Sequence, residues 1–419
     1  VGPKLRSKII PRSAILDADP AQAEIVSSQG PGSTDSPAQT EVSAPALNAP
    51  ARKPALPALS GLRTILAVNV MFFHFTPPHP DFLSPIIDNA YVFVGFFFLI
   101  SGFVLAYNYA DRPKLSKRAF YVARISRVYP VYLLVLLLSI PFLSLEWQAH
   151  SPQDFFTGLV LTPIMLQSWI PPLATFWNTV AWTVPAEIVL YLLFPYLLHA
   201  IEAVDARLGW FKTPLRIFAT ILVLWVIGIT PHTLYHLFNP DHLTEPATRY
   251  TYASWLRFIK YSPAAYVCTF TAGVFVARLH GRLSLTPRQR TFIAGVALFS
   301  LGLFFAFAVE HIPYVIVHGC LLLPIFAALL LGLAGVNPVS TVFAWKPIVL
   351  FGETTFALYL LHFNTLMLVQ YWKLPQLLHL QALDPWISFA FVMVLAWIVS
   401  RFYEKPARKL VQTWLSPAA

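Results

Sequence analysis

Ten stretches of this chain are apolar for long enough, or nearly so, to cross the ~30 Å of hydrocarbon in a bilayer, and no other feature limits the possible folds so strongly. They lie near 60–77, 90–109, 128–145, 180–199, 214–231, 263–280, 291–309, 314–335, 348–371 and 386–402. Backbone in hydrocarbon must satisfy its own N–H and C=O groups, which leaves helices or closed barrels. Segments of this length and composition read as helices, so the expected fold is all-α: a polytopic transmembrane helical bundle of about ten crossings. Only 11% of the residues are charged, against roughly 25% in soluble domains, so a soluble fold would be short of surface residues. A further apolar piece at 155–168 has 14 residues and reads as one short re-entrant or interfacial helix.

The formal net charge of +10 could suggest nucleic acid. The Lys and Arg residues instead fall in short blocks between apolar runs, which marks them as topology signals; no nucleic-acid partner is expected. Arg52, Lys53 and Arg63 precede or open the first span, and Asp81 and Asp88 follow it. The densest block is Arg112, Lys114, Lys117, Arg118, Arg124 and Arg127, after the second span. Ten crossings keep the later blocks on one side, up to Arg401, Lys405, Arg408 and Lys409, so both termini are expected in the cytoplasm. A full crossing at 155–168 would invert that pattern. Residues 1–58, rich in Pro, Ala, Ser and Gln, read as a disordered cytoplasmic tail. Residues 59–410 form the membrane domain, 411–419 a short cytoplasmic tail, and the host is the cell's inner (plasma) membrane. Cys268 and Cys320 lie within spans and read as small hydrophobes. His232, His236 and His242 belong to the longest outer connection, about 232–262, a wet interfacial loop or an acceptor-contacting one, and no metal site is expected.

Ionisable groups inside a span usually face a protein interior or a water-filled cavity. His74 lies 14 residues past Ser60, about 21 Å along the first span; Glu187 lies seven residues, about 10 Å, down a helix from the outer side; His362 lies 14 residues, about 21 Å, into a span rising from the cytoplasm. The three ladders reach comparable depth. Each residue has a packing reading beside the chemical one. In the chemical reading, neutral imidazole takes a proton from an attacking alcohol and a nearby carboxylate holds the ring. Asn69 and Trp182 offer hydrogen-bond donors in the same region. Arg63, 11 residues before His74, shares its helix face.

Arg124 and Arg127 stand three apart before a span with Pro130 in its first turn. They read either as topology signals or as a phosphate clamp, because guanidinium matches phosphate in a bidentate fork. Arg63, Arg118, Arg401 and Arg408 are auxiliary candidates, and Glu404 a partner for one of them. Gly102 admits close helix approach, and Ser101 is able to hydrogen-bond its own preceding turn. No dinucleotide, P-loop or zinc-protease motif is present.

Six stretches together resemble the acyltransferase-3 family of integral membrane acyltransferases: GLRTILAVNVMFFH, FFLISGF, the Arg-Ile-x-Arg-x-x-Pro run, WTVPAEIVLY, FGETTFALYLLH and FYEKPAR. The resemblance covers roughly 59–410. It implies transfer of an acyl group, commonly acetyl from acetyl-coenzyme A on the cytoplasmic side, to a hydroxyl of a carbohydrate or other exported acceptor. It implies no permanently bound cofactor; acyl-coenzyme A is the donor substrate. His74 takes the family's catalytic position with Glu187 beside it, Arg63, Arg124 and Arg127 handle the donor, and Asn69, Ser101, Trp182, Tyr359 and His362 shape the pocket. Departures are WTVPAE in place of Trp-Ser-Leu-x-x-Glu, with Pro185 expected to bend or free the helix before Glu187; Thr355-Phe356 in place of Ser-Tyr; and Gly95 in place of an acidic residue. With only residues 403–419 after the last span, no appended soluble domain is expected. The rival readings are a transporter of a polar or acylated solute and a non-catalytic scaffold.

Overall fold

Helix boundaries follow the chemistry of the helix ends. The structure, a computed structural model, describes residues 53–110 and 115–415. Most of the expected N-terminal tail, Arg52, Arg112 and Lys114, and residues 416–419 lie outside the described residues. All regular elements among the described residues are helical. Helix α1 (Pro57–His74) opens on a proline, whose missing N–H has no partner to lose at that position, and therefore starts ahead of Ser60. It is followed by α2 (Val92–Tyr109) and α3 (Lys117–Leu138). Ser116 caps α3 by accepting from the Ala119 N–H at 3.3 Å.

That early cap corrects one expectation. Pro130 lies inside α3 rather than in its first turn, and its carbonyl accepts from the Tyr403 hydroxyl at 3.2 Å. The short α4 (Pro152–Leu161) has ten residues, about 15 Å of rise, half of what a crossing needs. This agrees with a short helix at this point in the sequence. Helix α5 (Thr183–Leu208) corrects the second proline expectation in the opposite sense. It begins so late that Pro185 falls within its first turn, where it breaks no helical bond; its internal proline is Pro195.

The chain continues through α6 (Pro214–Phe238), α7 (Ser254–Tyr261), α8 (Val267–Arg282), α9 (Pro287–Leu303), α10 (Tyr314–His318), α11 (Leu323–Leu333), α12 (Thr355–Tyr371), α13 (Trp386–Val399) and α14 (Lys405–Leu415). Because α6 runs on to Phe238, His232 is helical and buried rather than part of the outer connection. Asp241 then ties the loop down, its carboxylate accepting from the Trp255 and Leu256 N–H groups at 3.1 and 2.9 Å and from the Tyr235 hydroxyl at 2.9 Å.

Among the described residues, seven helical stretches are long and apolar enough to cross a membrane, or eight if Ser254–Tyr261 and Pro263–Arg282, bent by 48°, form one span. The ten spans expected from the sequence include two that do not qualify, at α1 and α12. Their shortfall has a cause in the sequence: α1 carries Arg63, Asn69 and His74, and α12, 17 residues long, carries His362 and Asn364. The two helices least suited to lipid are those that carry His74 and His362.

Lipid tails are as apolar as leucine, so helices associate here by close packing rather than by escape from water. Helices α2 and α8 approach until their backbones meet. A Cβ on Gly102 would lie 2.0 Å from the Phe270 carbonyl oxygen, and one on Gly273 would lie 2.1 Å from that of Leu99. Phe96 of α2 stacks on Phe326 of α11 at 4.2 Å. Phe292, Phe299 and Val223 on α9 and α6 face outward, as lipid-contacting residues do. Substituting Leu for Gly102 or Gly273 is expected to force these helices apart and sharply reduce the folded yield in detergent. Gly295→Ala, whose Cβ meets nothing within 4 Å, should leave the melting temperature unchanged or slightly higher.

Candidate functional site

Helices α1, α2, α3, α5 and α12 enclose a cavity of about 100 Å³. Its polar wall is Arg63 from α1, Ser101 from α2, Arg124 and Arg127 from α3, Glu187 and Tyr191 from α5, and Tyr359 from α12; Phe97, Phe98, Val104 and Phe356 supply apolar surface. The three expected donor-binding arginines are thus brought together around one space.

Glu187 is held by hydroxyls. Its Oε1 accepts from Ser101 Oγ at 3.5 Å and, in a short contact, from the Tyr191 hydroxyl. Tyr191 is one turn further along α5 and so on the same face, while Ser101 reaches across from α2 instead of bonding its own preceding turn. Arg63 lies within the electrostatic reach of Glu187 and Glu404, which attract it, and of Arg127, which repels it. Arg124 lies 5.9 Å from the ring centroids of Tyr109, Phe120 and Tyr191, and its Nε is buried without a hydrogen-bond partner. An unsatisfied buried donor costs about 1–3 kcal/mol, and a ligand oxygen bonded there would relieve it. Three guanidinium groups and one carboxylate leave the cavity wall net positive.

The two histidines form a separate feature. His74 is the last residue of α1, and its ring centroid lies 5.4 Å from that of His362 and 5.1 Å from Phe363. His362 is 1% exposed, and its Nδ1 sits 2.7 Å from the Tyr359 carbonyl oxygen. A carbonyl only accepts, so Nδ1 carries the proton and, in the neutral ring, Nε2 keeps a lone pair. That Nε2 is buried without a partner. The depth agreement among His74, Glu187 and His362 therefore resolves into two groups: the histidines meet each other, and Glu187 stands on the arginine cavity. Among the described residues no hydrogen bond joins Glu187 to either ring.

Tyr359 connects the two groups. It lines the cavity, its ring lies 5.9 Å from that of His362, and its hydroxyl donates to the Val180 carbonyl at 3.3 Å. Besides His362, two expected pocket residues lie off the cavity wall. Asn69 spends its amide on the Ile65 carbonyl of its own helix at 3.1 Å, and Trp182 packs against Phe98, Tyr261 and Tyr266. Among the auxiliary candidates, Arg118 donates to the Leu415 carbonyl at 3.4 Å and Arg401 is exposed. Glu404 is buried and acted on by Arg127 and Arg408.

Sequence reasoning missed three groups. Tyr191 could have been found as the i+4 neighbour of Glu187. The ion pair of Glu353 with Lys405 at 2.7 Å joins two motifs far apart in sequence, and Arg249, stacked at 4.9 Å from the Phe73 ring centroid, comes from a loop without periodicity.

Residues 56–402 match the family described as acyltransferase domain. Among curated proteins the chain is similar to Acyltransferase MdmB of Streptomyces mycarofaciens, with 27% identity over 332 residues, covering 75% of this chain and 80% of that protein. No solved structure matches it.

The hydroxyl clamp on Glu187 yields a stability test. Ser101→Ala and Tyr191→Phe each remove one donor from Glu187 and should each destabilise by about 1–3 kcal/mol. In a double-mutant cycle read by melting temperature, the two losses should be non-additive because both act through one carboxylate oxygen.

Proposed function

Starting from the fact that the chain belongs to the acyltransferase domain family, we propose that this membrane acyltransferase takes an acyl group, acetyl in the simplest case, from acyl-coenzyme A in the cytosol. It places that group on a hydroxyl of a carbohydrate or other exported acceptor at the plasma membrane. The observation that carries this reading is the course of α1. One helix brings Arg63 into an arginine-lined cavity and ends on His74 against His362, and Tyr359 touches both places. The basic blocks at the Arg63 end of the bundle support a cytosolic entry for the donor.

Arg124, Arg127 and Arg63 are suited to the donor's phosphates: guanidinium binds them bidentately, and Arg124 has an unspent donor. Glu187 balances part of the positive charge and, held by two hydroxyls, keeps it in place. The thioester arm then runs past Tyr359 to the histidine pair. His74 takes the proton of the acceptor hydroxyl as that oxygen bonds to the thioester carbonyl carbon. The tetrahedral adduct collapses with cleavage of the C–S bond, and the departing thiolate takes the proton back from the His74 imidazolium. His362, fixed through its Nδ1–H and carrying an unpartnered lone pair, is the group beside His74 able to accept a hydrogen bond and set its tautomer. Direct transfer needs no covalent acyl-enzyme.

The test uses purified protein in lipid nanodiscs with acetyl-coenzyme A and extracted surface glycans, following free thiol that appears only when acceptor is present. His74→Ala should abolish that release while leaving the melting temperature within a few degrees of wild type; undiminished release would remove His74 from the mechanism. Arg124→Ala should raise the KM for acetyl-coenzyme A about tenfold or more, with Arg124→Lys recovering only part, as expected when a bidentate contact is replaced by a point charge.

A further inference from the structure

Past the His74 end of α1 lies a set of hydrogen-bond donors that this mechanism leaves unused. Arg249, on the loop between α6 and α7, holds its guanidinium 4.9 Å from the ring of Phe73, the residue next to His74. Phe73 lies 5.8 Å from Tyr91, and Tyr91 lies 4.9 Å from Tyr314. Lys260 of α7 places its ammonium 5.0 Å from the Tyr314 ring and 5.1 Å from that of Tyr261. The two cations thus flank one aromatic group, and Arg249 also acts electrostatically on His74 and Tyr314.

Among the described residues neither cation makes an ion pair. Lys260 is 3% exposed, and the charge that acts on it is another cation, Arg257. Among the described residues its ammonium makes no hydrogen bond, and Arg249 has a buried Nη1 with no partner. Two acids of this region are committed elsewhere. Asp241 caps α7 and receives the Tyr235 hydroxyl; Glu146 accepts from the Trp177 N–H and faces His150 at 3.2 Å. Arg257 is already satisfied by the Pro171 carbonyl and Thr175. The hydroxyls of Tyr91, Tyr261 and Tyr314 also make no hydrogen bond to described residues. Aromatic faces offset part of the cost of burying a cation, but a buried ammonium with no acceptor and no acid is unfavourable in a bundle that gains nothing else from it.

Two cations and three hydroxyls with no anionic group among them complement one kind of ligand. We infer that the acyl acceptor is anionic, and that its carboxylate or phosphate group sits between Arg249 and Lys260 on these tyrosine hydroxyls while its reacting hydroxyl lies at His74. The inference rests on the acyl-transfer reading above and adds the acceptor's charge to it. An anionic lipid headgroup shares this chemistry. The position beside His74 favours the acceptor, and Arg249, half-buried on a surface loop, gives a soluble glycan a way in.

The experiment measures binding, so that it does not depend on turnover. Wild-type protein in nanodiscs of neutral phosphatidylcholine is titrated with a galacturonic acid trisaccharide, with inorganic phosphate and with the neutral galactose trisaccharide. The anionic probes should bind and the neutral one should bind at least tenfold more weakly. Arg249→Gln and Lys260→Gln should each weaken anion binding tenfold or more. Lys260→Met should weaken it equally while raising the melting temperature of the ligand-free protein, because an uncompensated buried charge is gone; a purely structural lysine would give a lower one. Equal affinity for the charged and neutral sugars, no anion binding by the wild type, or anion binding untouched by the substitutions would overturn the inference. So would strong competition by phosphatidylglycerol in the nanodisc at the same residues, which would make a lipid the occupant. Acetyl-coenzyme A binding, measured in parallel, should be retained in Arg249→Gln and lost in Arg124→Ala; its absence from wild type would count against the acyl-transfer reading and leave the anion result standing on its own.

Discussion

Holding several guanidinium groups inside a bundle surrounded by hydrocarbon sets the terms for everything else in this protein. A charge at membrane depth is expensive unless it faces a cavity or a partner, and here Arg63, Arg124 and Arg127 face one cavity with Glu187 as the carboxylate on its wall. Hydroxyls from Ser101 and Tyr191 engage that carboxylate, not an arginine. Arg124 keeps donor capacity for a ligand, its Nε being buried without a hydrogen-bond partner. Close packing around the site supplies the rigidity: Gly102 and Gly273 let α2 and α8 approach until backbone meets backbone, and α2 is the helix that carries Ser101 and much of the cavity's apolar wall.

The same constraint explains why α1 and α12 are the least lipid-like of the long helices. Each must present polar groups along most of its length, Arg63 through His74 on one and Tyr359 through Asn364 on the other, so each is screened from lipid by its neighbours. Phe72 packs on Phe389 and Trp386 of α13, and Phe75 on Phe363. These aromatic side chains are the mortar between the polar helices.

The architecture was legible because apolar length is a local property: most of the spans and the short helix near 155–168 can be read along one strand of text. Arg63 and His74 share a helix, and Arg124 and Arg127 share another, so periodicity alone placed them. What could not be read is what depends on the contact between distant segments. Depth ladders put Glu187 level with the histidines, but depth says nothing about rotation around the bundle, and Glu187 turned to Ser101 and Tyr191. The two prolines were exchanged in role because the helix starts, set by the Ser116 cap and by Thr183, lay several residues from where hydropathy alone begins. Arg249 and Lys260 lie in or beside an irregular loop, where no pattern announces which side chains turn inward.

Asp241 has a consequence beyond capping. By receiving the Tyr235 hydroxyl at the end of α6 and two N–H groups at the start of α7, it pins both ends of a short excursion that carries Arg249, while the arginines of the cavity belong to other helices altogether. Substitutions in that excursion can accumulate without disturbing the arginine-lined cavity. Some fifteen residues of one connection are thus free to vary while the membrane core is kept, as loops on a rigid scaffold generally are.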